Sequence, residues 1–304
     1  MKWFQGWADD DRIRMMSSSG GAGAALARAF IKEMQGYVCS CTFADGMFKY
    51  DIVNKTEDLW QFAGSKYVKS TPFGVYKKIR ELVRDNKVLF IGLPCHVAAV
   101  KAYVGDRNAE NLFTVDLICH GTPSPKLLQD FLESHGKKLS DIKSISFRNK
   151  SVFGILNDMK PMVQPGTVDR YSLAFLCSLC YTDNCYECSY ATFSRVSDIT
   201  IGDSWASDLS AEEQKKGISL VLVQTEKGER LLKKANMTLS DVDIEKAVQA
   251  NDQLREPSKK TEKHDIFFEN YKTGNFDYAT YRALPFKCVK QRIKAWFLKL
   301  GILR

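Results

Sequence analysis

VLFIGLPCHVAAVKAYVGDRNAENLFTVDLICHGTPSP, residues 88–125, holds the pattern that decides the fold. Two unbroken apolar runs, VLFIG (88–92) and LFTVDLI (112–118), have the length and residue types of strands buried on both faces. Each runs into a cysteine turn, Leu93-Pro94-Cys95-His96 and Cys119-His120-Gly121, and then into a helical stretch, 97–104 and one opening around Ser124. Strand, turn, helix, strand, turn, helix is a βαβ unit with a second helix, which requires a parallel pair. Parallel neighbours bring both turns to one edge of the sheet. That edge is where α/β folds bind ligands, so Cys95 and Cys119 are expected to open into one crevice.

Downstream, CSLCYTDNCYECSYATFSRVSDITIGDSW (177–205) carries four of the nine cysteines as Cys177-x2-Cys180 and Cys185-x2-Cys188. Several thiolates can converge there on one soft metal centre with little loop-closure cost. The spacing is neither that of a zinc ribbon nor that of a bacterial ferredoxin. Upstream, Tyr37 to Phe43 and Met47 to Val53 read as a hairpin about Asp45-Gly46, with Cys39 and Cys41 on one face as core. A short helix opens at Thr56, and Gly64-Ser65-Lys66-Tyr67 follows as a loop whose lysine is either a surface residue or a phosphate contact. Ser17-Ser18-Ser19-Gly20-Gly21 leads into an alanine-rich helix. It is either an anion site at a helix N-terminus or a serine cap with a tight turn. No strand is read before it.

Composition bounds the class. The chain has 304 residues, 44% hydrophobic and 26% charged, as expected of a globular protein with a substantial core. No apolar run reaches a membrane span, and MKWFQGWADDD lacks the basic and apolar parts of a signal peptide, so a cytoplasmic protein with reduced thiols is expected. Of the net charge of +8, seven positive charges lie between Tyr281 and Arg304, where there is no acid. Val289, Ile293, Trp296, Phe297 and Leu300 recur there at helical spacing. This is a basic amphipathic helix, either docked with a solvated face or laid on a membrane surface or partner. Nucleic-acid binding is not expected, because no basic-aromatic motif stands elsewhere.

SSSGG (17–21), GSKYVKS (64–70), GLPC (92–95), DLICHGTPSP (116–125), SFRNK (146–150), CYEC (185–188), SDITIGDSW (197–205) and KKGISLVLVQTEKG (215–228) occur in an order that resembles the coenzyme F420 hydrogenase/dehydrogenase beta-subunit family. The resemblance spans about residues 10 to 235 and points to the bacterial polysaccharide-cluster members without an N-terminal ferredoxin module. It implies an iron-sulfur flavoprotein oxidoreductase with FAD and one 4Fe-4S cluster. Such a protein passes electrons between a separate carrier, ferredoxin or a deazaflavin, and a small-molecule substrate. Carried over, the metal ligands are Cys95, Cys119, Cys185 and Cys188. The flavin-side residues are Ser18, Ser19, Gly20, Gly21, Lys66, Arg148 and Lys150, and His96, His120 and Lys66 are the catalytic candidates. Arg195 and Asp203 are read as a structural ion pair. Departures from the family pattern include Thr182-Asp183-Asn184 before the CxxC pair, Ser204 and Ala206 around Trp205, and His96 in place of glutamine.

The expected architecture is α/β, with a mixed, partly parallel sheet, flanking helices, a cysteine-rich insertion and a helical C-terminal extension. Residues 1–110 form the flavin side, 111–255 the cysteine-rich cluster side and 256–304 the basic tail. Three other readings stay open. All four cysteines of 177–188 could hold the cluster. The thiols could bind zinc in a non-catalytic scaffold for glycan assembly at the inner face of a membrane. Cys95 beside His96 could be a nucleophile.

Overall fold

The computed structural model describes residues 1–302; Arg304, the last of the tail's basic residues, lies outside them. The strands are β1 (Lys2–Ala8), β2 (Tyr37–Ala44), β3 (Met47–Val53), β4 (Val88–Gly92), β5 (Leu112–Leu117), β6 (Ile145–Asn149), β7 (Val152–Asn157), β8 (Lys160–Pro161), β9 (Ile199–Asp203), β10 (Ser219–Val223) and β11 (Met237–Asp241). Eight of them form one sheet in the order β11-β1-β10-β9-β5-β4-β2-β3, and β6, β7 and β8 form a second. The pairs β2–β4, β4–β5 and β5–β9 are parallel; β2–β3, β9–β10, β10–β1 and β1–β11 are antiparallel. The fold is therefore α/β with a mixed sheet, and its parallel strands lie at the centre.

Every residue of β4 is buried, because both faces of the sheet are covered. On one face Leu89, Ile91, Phe113, Val115 and Ile199 pack with Leu26 and Phe30 of the helix Ala22–Met34. Val88, Phe90 and Leu112 meet the helices Val75–Leu82 and Pro94–Val104 on the other face. The β2–β3 turn has Asp45 and Gly46 at φ of 54° and 70°, the left-handed pair that a tight hairpin requires.

Between β5 and β9 the chain leaves the sheet and builds a second core. Phe131, Phe147, Tyr171, Phe267 and Phe276 meet there, joining the small sheet to the helices Pro125–Ser134, Arg170–Leu176, Glu262–Thr273 and Phe276–Ala283. The C-terminal extension thus consists of three helices, the last being Pro285–Lys299, and all three supply core residues. Asp169 binds this core together. It caps Arg170–Leu176 through the Ser172 amide at 2.7 Å and accepts from the Ile155 amide of β7 at 2.7 Å.

Two expectations need correction. A strand, β1, does precede the serine-glycine loop; its polar and glycine positions, Gln5 and Gly6, hide the alternation that marks a strand. Nor do Arg195 and Asp203 pair: Arg195 meets Asp116 of β5 at 3.2 Å, and Arg148 takes Asp203. Asp116 and Arg195 side chains are both at most 1% exposed, and Arg195 also donates to the carbonyls of Leu117 at 3.0 Å and Tyr190 at 2.7 Å. One guanidinium therefore ties the cysteine-rich segment to the strand that carries Cys119. Removing it strands a buried carboxylate, so Arg195→Ala should cost about 3–5 kcal/mol in chemical denaturation. A loss below about 1 kcal/mol contradicts this role.

Candidate functional site

The directions of the strands decide what can meet. The carboxyl ends of β1, β4, β5 and β9 and the amino end of β10 share one edge. Cys95, Cys119, Trp205, Gly217 and the serine-glycine loop after β1 therefore emerge side by side.

Cys95 sits in the first turn of the helix Pro94–Val104, and Cys119 in the loop between β5 and Ser124. An isolated bridge, Pro123 to Tyr181, and a hydrogen bond from the Thr182 amide to the Thr122 carbonyl at 3.0 Å lay the 180–185 segment along that loop. Gly121 permits the approach. At φ +138°, a Cβ there would stand 2.3 Å from the Tyr181 ring. Cys185 consequently lies between Thr182, with Oγ1 at 3.3 Å, and Thr122, with Oγ1 at 3.9 Å.

Cys95 and Cys119 both lie within electrostatic reach of Cys185 and Cys188. Burial pushes Cys119 up to about 12, and Cys185, Cys95 and Cys188 add to the rise. Cys95 is raised by burial and then by Cys188 and Cys185. Backbone amides oppose both shifts, His96 N–H at Cys95 and Gly121 N–H at Cys119, so each sulfur has a donor that favours its anion. Among the described residues, no three His, Cys, Asp or Glu side chains converge on a single ion.

The other two cysteines of the 177–188 segment point elsewhere. Cys180 is fully buried in the second core, its thiol raised by burial alone. Cys177 accepts from Lys287 Nζ at 3.0 Å and lies near Cys288.

The flavin-side candidates form a knot at the same edge. Arg148 is buried. It holds Asp203 through both carboxylate oxygens at 2.8 and 2.9 Å, and donates to Tyr67 Oη at 3.2 Å and to the carbonyls of Ser18 at 2.8 Å and Lys150 at 2.7 Å. Its donors are spent inside the protein. Ser18 Oγ accepts from the Ser65 amide at 2.9 Å, and Ser19 Oγ donates to the Ile218 carbonyl at 2.8 Å. Gly20 is pinched between strands, where a Cβ would lie 2.4 Å from the Gly6 carbonyl oxygen. Gly21, at φ +92°, starts the helix Ala22–Met34 with no side-chain cap.

Lys150 Nζ donates to the carbonyls of Ser19, at 2.9 Å, and Arg14. Burial, then Arg14 and Arg148, hold it down to about 8. Arg14, which does not stand out in the sequence as a site residue, is almost fully buried, stacks 4.1 Å over Trp7, donates to the Gly217 carbonyl at 3.0 Å and pairs with Glu213 at 2.5 Å. Three cations thus surround the loop, and two of them have carboxylate partners. An arginine in a short run rich in apolar residues, a few positions after a tryptophan, is the only trace of Arg14 that the sequence offers.

The catalytic candidates separate. His96 is buried with Nδ1 2.9 Å from Tyr50 Oη, and burial, then Lys69, lowers it to about 4. Its ring is turned into the core. His120 lies at this edge with part of its surface open; desolvation of the ring lowers it, Asp203 and Asp252 oppose the shift and Arg148 adds to it, and its carbonyl accepts from Ser258 Oγ at 2.6 Å. Lys66 Nζ donates to the carbonyls of Phe62 at 2.9 Å and Ala63 at 2.8 Å, and burial lowers it to about 8, with Cys41 acting the other way.

A solved structure described as a xenon derivatization of the F420-reducing [NiFe] hydrogenase complex from Methanosarcina barkeri resembles the chain, with TM-score 0.58 and 18% identity, covering 90% of this chain and 93% of that one. At this identity the likeness is one of fold. No curated protein matches the chain. The family model for the C terminus of the coenzyme F420 hydrogenase/dehydrogenase beta subunit matches residues 85–246, more than half of the chain. This match spans the βαβ unit and the cysteine-rich segment, and the chain belongs to that family.

Proposed function

We propose that the protein is an iron-sulfur flavoprotein oxidoreductase that carries one 4Fe-4S cluster on Cys95, Cys119, Cys185 and Cys188 and FAD beside it. The observation that carries the reading is topological: parallel β4 and β5 end in Cys95 and Cys119 at one edge, and the Pro123–Tyr181 bridge lays the segment that leads to Cys185 and Cys188 along the Cys119 loop. The donor set fits the group. Four thiolates repel one another, and Cys95, Cys119, Cys185 and Cys188 would hold a polynuclear iron centre whose positive charge would offset that repulsion. A single zinc ion is the other centre that four thiolates can hold, and metal analysis separates the two. The amides of His96 and Gly121 hold charge on the sulfurs, and Phe175, Tyr181 and Tyr186 pack beside Cys185 to limit water.

For FAD, the fit lies in charge. Lys150 has no ion pair of its own among the described residues and rests on the Ser19 carbonyl beside Arg14 and Arg148, which suits a diphosphate at Ser18, Ser19, Gly20 and Gly21. Arg148 positions this loop rather than binding the anion. We assign Lys66 to the flavin side, and His120 stands at the same sheet edge as the proton-handling candidate. When bound, a flavin exchanges electron pairs and single electrons, so that next to a one-electron centre it couples a hydride donor to a one-electron carrier. The carrier is ferredoxin or a deazaflavin, in line with the F420-reducing complex whose fold this chain shares. The substrate is a small molecule of the kind handled in polysaccharide assembly. Reduced thiols suit work in the cytoplasm.

Anaerobically purified protein should contain about four iron and four sulfide per chain and extractable FAD. Serine at position 95, 119, 185 or 188 should abolish the iron, whereas Cys177→Ser and Cys180→Ala should keep it; a colourless protein with stoichiometric zinc would sink the reading. Lys150→Gln should weaken FAD binding at least about tenfold by fluorescence quenching. Wild-type affinity should fall as pH rises above about 8 and Lys150 loses its charge. The apo protein should respond in stability through several groups. Its folded-state Lys150 and Lys66 release protons near 8, and the unfolded chain keeps them to the usual lysine value, so these two groups add stability over that window while the thiols raised by burial remove it. The melting temperature of Lys150→Gln relative to wild type should therefore fall as pH rises over that window.

A further inference from the structure

The last helix, Pro285–Lys299, has two apolar faces, and only one of them is used. Cys288 is buried against the second core, Gln291 Oε1 accepts from the Val168 amide at 3.0 Å, and Leu298 packs on Gly166. These three positions and Ala295 follow the i, i+3, i+7, i+10 spacing of a single stripe. On the opposite side Phe286, Val289, Ile293, Trp296 and Leu300 form a second stripe directed away from the body, with Phe286 89%, Ile293 51% and Trp296 58% exposed. Burial within the chain does not account for it.

The charges around the outer stripe identify what covers it. Helical geometry places Lys290 and Lys294 along one flank and Arg292 and Lys299 along the other, and the helix contains no acid. Protein interfaces are depleted in lysine around their apolar centres. A lipid surface favours this arrangement, because long cationic side chains can reach headgroups while the rings and aliphatic groups between them enter the acyl boundary. No helix among the described residues is long and apolar enough to cross a membrane, so contact along the plane of the surface is the geometry available.

We infer that the outer face of Pro285–Lys299 binds anionic lipid surfaces, lying in the interface with Phe286, Ile293 and Trp296 inserted. This inference is independent of the redox chemistry.

Vesicle flotation with the full chain tests it, using phosphatidylcholine vesicles with and without about 30% phosphatidylserine. The bound fraction should be at least about tenfold higher with phosphatidylserine and should drop severalfold between about 0.05 and about 0.5 M salt. Ile293→Ser/Trp296→Ser and Lys290→Glu/Lys294→Glu should each reduce binding about tenfold, with unchanged circular dichroism and melting temperature, since these side chains make no core contacts. Equal binding to both vesicle types, binding to neither, or retention by either double variant overturns the inference. So does a concentration-dependent dimer in sedimentation that Ile293→Ser/Trp296→Ser abolishes, because a second copy then covers the stripe.

Discussion

Arg195 and Asp116 are charges with almost no contact with water, and the region around the thiols depends on their staying paired. Burying two such groups costs several kcal/mol before their attraction is counted. Burial raises Asp116, whose oxygens meet Arg195 without a hydrogen bond, while the same guanidinium reaches the Tyr190 and Leu117 carbonyls, so one side chain fixes the strand before Cys119 and the loop after Cys188. A hydrophobic pair of equal volume could pack there, but it could not bind carbonyls on two segments. The placement of the cysteines follows from this clamp together with the Pro123–Tyr181 bridge and the space left by Gly121.

The central half of the sheet was legible because its residues carry only one message. VLFIG and LFTVDLI are too short for helices and too apolar for exposed strands, and the cysteine turns punctuate them. The outer strands were less legible for a physical reason. β1 contains Gln5 and Gly6, and β11 is a mostly exposed edge, so neither shows the alternation of a half-buried strand. Their pairing is decided by partners more than 200 residues away in β10 and β11, which no local pattern encodes.

The site was legible in its residue types and less so in its pairings. That Cys95 and Cys119 share an edge follows from parallel strands; that Cys180 turns into a core of Tyr171 and Leu179 does not follow from a CxxC spacing. Charged residues were harder still. Arg148 reads as an anion binder in isolation, but its donors are consumed by Asp203, Tyr67 and two carbonyls, leaving Lys150 as the cation whose charge is uncompensated. A sequence lists charges but not their partners, and partners determine which charge can meet a ligand.

The position of β1 also governs how the polypeptide reaches its native state. This strand fits between β10 and β11, with Lys2 opposite Val223 and Ala8 opposite Met237, so the ribosome makes it more than 200 residues ahead of both neighbours. Until β10 has emerged, an apolar segment with Trp3 and Phe4 must wait without a partner, and this side of the sheet cannot close before residue 241 has followed. Truncation just before β10 leaves the same segment permanently without its place.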